Sequence, residues 1–161
     1  MLGAFSLTEP GSGTDAGSLR TTATRDGSSY LLRGSKTWVT NGALAGLILV
    51  FARAEGGITA FLLEGETPGL KIGYREKTLG LRGLSCNTLY LDDARIPAAS
   101  RLGEEGQGLR IALSALDLSR LGMGAIALGA AERALEEAIQ FSIEHIPVSY
   151  THLTLPTTPY V

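Results

Sequence analysis

Sulfur, aromatic rings and blocks of charge are all scarce in this chain of 161 residues, and each scarcity excludes something. Cys86 is the single cysteine, so no internal disulfide can form, which fits a reducing compartment. The two histidines, His145 and His152, offer no metal pair, and no metal site is expected. Fourteen Lys and Arg against sixteen Asp and Glu give a net charge of -2, with no run of like charge. That balance gives no support for nucleic-acid binding or for a charged membrane surface. No unbroken apolar run approaches the roughly 20 residues that span a bilayer, and no basic-then-apolar leader opens the chain. The expectation is a soluble, cytoplasmic protein.

Glycine, by contrast, is abundant: 21 residues, well above the usual share. Most of them punctuate short runs rich in β-branched and aromatic residues between Gly3 and Pro97. Ser18 to Thr24 alternates polar and apolar, and Tyr30 to Thr40 resumes after Asp26-Gly27, a pair suited to a tight hairpin because Gly tolerates positive φ. Leu47 to Arg53 and Ile58 to Leu63 read as strands joined through Glu55-Gly56-Gly57. Thr67-Pro68-Gly69 leads into Leu70 to Gly73, and Leu84 to Leu91 reads as a strand ended by Asp92-Asp93, with Ile96-Pro97 closing the domain. Strands at such short spacing predict an all-β sandwich or barrel-like domain over 1–100.

After Gly108 the period changes. Leu109, Leu113, Leu116, Leu121, Ala125, Leu128, Ala131, Leu135 and Ile139 recur at helical steps, as a buried helix face requires. No proline interrupts before Pro147, so one helix of about 35 residues is expected, giving an α+β chain. Gly122, Gly124 and Gly129 each cost about 1 kcal/mol against Ala in a helix, and close approach of another backbone is their expected compensation. One β-domain cannot bury so long a helix. Residues 101–147 are therefore read as the start of a helical domain whose partners the chain lacks. The last stretch, 148–161, drops the helical pattern. Val148-Ser149-Tyr150-Thr151-His152-Leu153 back-translates to gtctcttatacacatct, a transposon adapter end used in sequencing libraries. On this reading the frame ran off its insert near Pro147, Met1 is an internal or frame-defined start, and the tail is set aside.

Two clusters carry polar chemistry. Thr8-Glu9-Pro10-Gly11-Ser12-Gly13-Thr14-Asp15 packs glycines among oxygen-bearing side chains, so main-chain N–H groups can converge on a ligand. Lys36-Thr37-Trp38-Val39-Thr40-Asn41-Gly42 sets the only Trp two residues before a Thr, on one side of a strand. An aromatic face beside a hydroxyl suits a flat heterocycle. Taken singly, each cluster is read more economically as a structural loop and as a core Trp at a strand end.

In order, however, the two resemble the acyl-CoA dehydrogenase family. Leu7-Thr8-Glu9-Pro10-Gly11-Ser12-Gly13-Thr14-Asp15 is similar to its signature, with Thr14 where Ser is usual. Gly34 to Gly42 resembles its second flavin segment. Lys77-Thr78-Leu79-Gly80-Leu81-Arg82-Gly83, Leu91 to Pro97 and Gly103-Glu104-Glu105-Gly106-Gln107-Gly108 resemble later markers. The resemblance covers Leu2 to His145 and implies the middle of the family's α–β–α architecture, truncated at both ends. It implies FAD held by Phe5, Ser6, Leu7, Thr8, Glu9, Gly11, Gly13 and Thr14 together with Trp38, Val39 and Thr40. Trp38 would pack on the isoalloxazine, with the Thr40 hydroxyl near the nitrogen that receives hydride. Thr14, Asp117 and Arg120 match positions that contact the acyl-CoA thioester. Asp117 and Arg120 are also well spaced for a plain solvated pair on a helix.

The implied chemistry is α,β-dehydrogenation of acyl-CoA: a Glu takes the α-proton while the β-hydrogen leaves as hydride to flavin. Hydrogen bonds to the thioester oxygen stabilise the developing enolate. An electron-transferring flavoprotein is the implied acceptor, and a homo-oligomer the implied parent. The base is where the chain departs, because Ser119 stands where some members carry it. Glu132, Glu136 and Glu137 read as helix surface, so no catalytic residue is assigned and the chain is expected to be inactive alone. The rivals are an oxidase or flavin monooxygenase of the same fold, and a cofactor-free β-sandwich interaction module.

Overall fold

In the computed structural model, residues 1–145 are described, so the expected adapter-derived stretch falls outside the described residues. Eight strands precede one helix: β1 (Gly3–Ser6), β2 (Thr22–Asp26), β3 (Ser29–Thr40), β4 (Leu47–Ala54), β5 (Gly57–Glu64), β6 (Leu70–Arg75), β7 (Cys86–Pro97), β8 (Arg101–Leu102) and α1 (Gly108–Glu144). The chain divides into two compact units, Met1–Leu116 and Asp117–Val161. The first holds every strand and the opening turns of α1.

The sheet runs β6-β7-β3-β2-β4-β5-β8, with β1 set beside β4. β4 and β5 read as nearly unbroken apolar runs because both of their faces are covered. Ile48, Val50, Ala52 and Phe61 face one core with Tyr30, Leu32, Leu89 and Ile96. Phe51, Ile58 and Ala60 face a second core with Leu7, Leu19 and Ala112, against which Phe5 and Leu109 pack. The turns follow local chemistry. Asp26 pairs with Ser29 across Gly27, whose φ of 58° is open to glycine at little cost.

Two strands depart from the sequence reading. β7 does not end at Asp92-Asp93 but runs on to Pro97, because a bulge absorbs the acidic pair. Asp93 sits there at φ 53° and pairs with the Arg33 guanidinium. β8, only two residues long, pairs with β5 at Ala60 and Phe61, and carried no pattern that could announce it.

The helix forms at the expected length, but its expected buried face is not buried. Among the described residues only Gly108 and Ala112 of α1 are buried. Leu113, Leu121, Leu128, Leu135 and Ile139 are 46% to 77% exposed. Leu118, Met123, Ile126, Phe141 and Ile143 are exposed as well, so apolar surface surrounds the helix. At Gly122, Gly124 and Gly129 no atom of the described residues, beyond the adjacent residues and the helix's own backbone, lies within 4 Å of where a Cβ would stand, so no other described backbone approaches them. One window of 18 residues in α1 has a mean hydropathy of 1.5, enough by length and composition to cross a membrane. Counting unbroken apolar runs had missed this, since isolated charges interrupt the run without lowering the average much.

Candidate functional site

The site begins where the sheet splits. β1 runs parallel to β4 from Gly3 opposite Leu47 to Ser6 opposite Val50. β2 joins the same edge of β4 only three residues on, through Thr22 opposite Arg53. The chain from Leu7 to Thr21 must therefore leave the sheet and return to almost the same place. Arg53 N–H donates to Thr21 O at 2.8 Å and closes the excursion. Inside it, Glu9 and Ser12 exchange main-chain hydrogen bonds of 2.9 and 3.1 Å around Pro10-Gly11. Ser12 Oγ then donates to Asp15 O at 2.7 Å, and the Ser18 hydroxyl donates to the Asp15 carboxylate.

The second segment meets this loop from β3. Lys36 pairs with Leu89 of β7 and Val39 with Asn87, so Thr37 and Trp38 together oppose Thr88 as a bulge. Trp38 occupies the left-handed region at φ 58°, a conformation that costs an ordinary residue about 1–3 kcal/mol. The bulge keeps Val39 in the core while Trp38 stays 57% exposed and Thr40 is exposed beside it. Simple strand alternation does not describe this stretch: a bulge lies between Lys36 and Val39, and exposed Trp38 and Thr40 flank the buried Val39. Thr37 N–H donates to Thr8 O at 2.9 Å, so the two segments touch one residue away from the indole.

Beneath that contact lies a pair that sequence reasoning missed. Lys36 Nζ, fully buried, donates to Glu9 Oε1 at 2.8 Å and to Leu7 O at 3.1 Å. The same carboxylate accepts the N–H of Arg20 at 2.6 Å and of Thr21 at 3.0 Å. Burial pushes the Glu9 carboxyl upward, but the hydrogen bonds from Lys36, Thr21 and Arg20 outweigh it and hold the group below its usual value. Burial pulls the Lys36 ammonium down, only partly offset by Glu9. The signal was present in the sequence. Tyr30, Leu32 and Lys36 fall on one side by strand alternation, and a cation turned inward requires an acid.

The side chains of Ser6, Leu7, Glu9 and Val39 are buried, so these residues can offer only main-chain groups to a ligand. Phe5 and Thr8 are half-buried, while Gly11, Gly13 and Thr14 are exposed. Neither Gly11 nor Gly13 lies at positive φ, and beyond their chain neighbours no atom of the described residues stands within 4 Å of where their Cβ would be. The fold does not require glycine there, and the main chain at both positions is open to approach. Open main chain and an outward indole fit a flat heterocycle such as a flavin. Across β7, Cys86 faces Thr40; burial and then the nearby Glu76 charge push its thiol up, against a hydrogen bond from Thr40.

In the second unit, Arg120 Nη1 lies 2.6 Å from Asp117 Oδ1, and both side chains are about 70% exposed. Glu136 and Glu137 pair with Arg133, as helix-surface groups do. Ser119 is exposed. Among the described residues no group of three or more His, Cys, Asp or Glu could hold a metal ion.

An eight-stranded mixed sheet, opened at the β1–β2 split, leads into one long helix, and this is the architecture that comparison with known proteins matches. The chain belongs to the acyl-CoA dehydrogenase family: residues 4–94 match "Acyl-CoA dehydrogenase, middle domain" and residues 106–145 match "Acyl-CoA dehydrogenase, C-terminal domain". It is 47% identical over 150 residues to an acyl-CoA dehydrogenase of Bacillus subtilis, covering 90% of this chain and 40% of that one. Among solved structures it resembles butyryl-CoA dehydrogenase from Megasphaera elsdenii, with a TM-score of 0.89 and 43% identity, covering 92% of this chain and 40% of that one. It also resembles an acyl-CoA dehydrogenase complexed with FAD from Bacillus anthracis, with a TM-score of 0.87 and 38% identity, covering 91% of this chain and 26% of that one. The chain thus spans about 40% of the length of the curated relative. The match over 106–145 makes α1 part of a family domain.

Proposed function

We propose that this chain is the flavin-binding part of a protein that α,β-dehydrogenates acyl-CoA thioesters. The observation that carries the reading is Trp38, held outward at a strained bulge one residue from the Thr37–Thr8 contact. FAD, when bound, supplies a two-electron acceptor that no side chain can provide. Trp38 packs its indole on the ring, and Thr40 offers a hydroxyl to its edge. Phe5, Thr8 and Thr14 would help hold it, with main-chain groups of Ser6, Leu7, Glu9, Gly11, Gly13 and Val39. Thr14, Asp117 and Arg120 contact the thioester substrate. Thr14 keeps the hydroxyl that Ser would supply and adds a methyl. Ser119 has no carboxylate and cannot act as the base that takes the α-proton. The acceptor of the reduced protein is an electron-transferring flavoprotein.

Because Trp38 is the only tryptophan, its emission reports on this site alone. Titrating the 161-residue chain with FAD is expected to quench Trp38 emission saturably, with flavin co-eluting in gel filtration. Emission that stays constant while no flavin is retained would sink the reading in favour of a cofactor-free module. In any protein that carries this segment and is reduced by substrate, fast reoxidation by oxygen would point to an oxidase instead.

A further inference from the structure

The Glu9–Lys36 pair is expensive. A buried ion pair seldom adds net stability, since desolvating both charges offsets most of their attraction, and an apolar pair of similar volume often serves as well. Stability therefore does not account for a fully buried ammonium on β3. Its hydrogen bonds do suggest a use. Lys36 Nζ grips the loop where it leaves the sheet, at Leu7 O, and grips Glu9 Oε1. The Glu9 carboxylate in turn holds the N–H groups of Arg20 and Thr21, where the loop returns. Both ends of the excursion are thus tied to one β3 residue. That residue is followed directly by Thr37, which bonds Thr8, and by Trp38.

We propose that Lys36, acting through Glu9, is a positioning residue that sets the distance between the Thr8 main chain and the Trp38 indole, and so the width of the flavin slot. This rests on the flavin reading above. A carboxylate fixed by one cation and two amides has little freedom to rotate, so the loop keeps a single height above β3. An apolar replacement packs the same volume but has no directional bond to fix that height.

The test uses the full chain with two variants. Lys36→Met leaves the Glu9 charge unpaired and is expected to lower both the melting temperature and FAD affinity. Glu9→Gln with Lys36→Met removes the orphan charge. It is expected to recover most of the melting temperature, yet to bind FAD at least tenfold more weakly with an altered visible flavin circular dichroism. In the flavin-free double variant, the Thr37 amide should exchange with solvent at least tenfold faster, while amides in β4 and β5 keep their protection. A double variant with wild-type affinity, flavin dichroism and Thr37 exchange would overturn the positioning role and leave the flavin reading intact. Failure of the wild-type chain itself to take up flavin would overturn both.

Discussion

At the scale of single residues, Ser6 shows how function and stability diverge. It is fully buried at the end of β1, and its hydroxyl has no hydrogen-bond partner among the described residues. An unsatisfied buried hydroxyl costs about 1–3 kcal/mol. Ser6→Ala is therefore expected to raise stability by about 1 kcal/mol, read as a higher urea midpoint with an unchanged slope; a lower midpoint would show that the hydroxyl is bonded after all. Glu9 has the opposite sign. Its folded carboxyl is held below the ordinary value of 4.5, so the stability it contributes is fully present above that value. It is lost as pH falls through the lowered folded value. Urea midpoints from pH 6 down to pH 3 should fall more steeply for wild type than for Glu9→Gln, and parallel curves would contradict the bonding described here. Neither residue's state could be read from the loop sequence, which shows the polar atoms but not which of them find partners.

At the scale of elements, β3 concentrates the argument. It changes partners along its length, pairing with β2 up to Arg33 and with β7 throughout. The change falls at Gly34, whose φ is 151° and where a Cβ would lie 2.8 Å from the Thr21 Cα. Gly34→Ala should cost about 3 kcal/mol from backbone strain and overpacking combined, whereas Gly11→Ala, in open space at ordinary φ, should stay within about 0.5 kcal/mol. Thermal unfolding of the two variants side by side decides it, and equal effects would mean that the β2–β3 junction is misdescribed. The hairpin at Gly27 and the long helix were legible because turn chemistry and helical period are local signals. The bulges at Trp38 and Asp93 were not, since a bulge is a mismatch between two strands and neither strand shows it alone.

At the scale of the whole molecule, the exposed apolar surface of α1 is the dominant liability. Leu118, Leu121, Met123, Ile126 and Phe141 are each more than half exposed. So much apolar helix surface is expected to drive self-association of the isolated chain at micromolar concentrations. Sedimentation velocity across a dilution series should show a rising mean mass, and a concentration-independent monomer would refute it. Pattern and composition by themselves determined the strand-rich first part, the helix after Gly108, the two polar segments and the family they resemble, because these depend on residue types at short spacing. Only tertiary structure decided that Trp38 stands outward on a bulge, that Thr8 meets Thr37, and that Lys36 and Glu9 neutralise each other beneath them. Those facts depend on which distant stretches of chain lie side by side, and no local period in the sequence records such a neighbour.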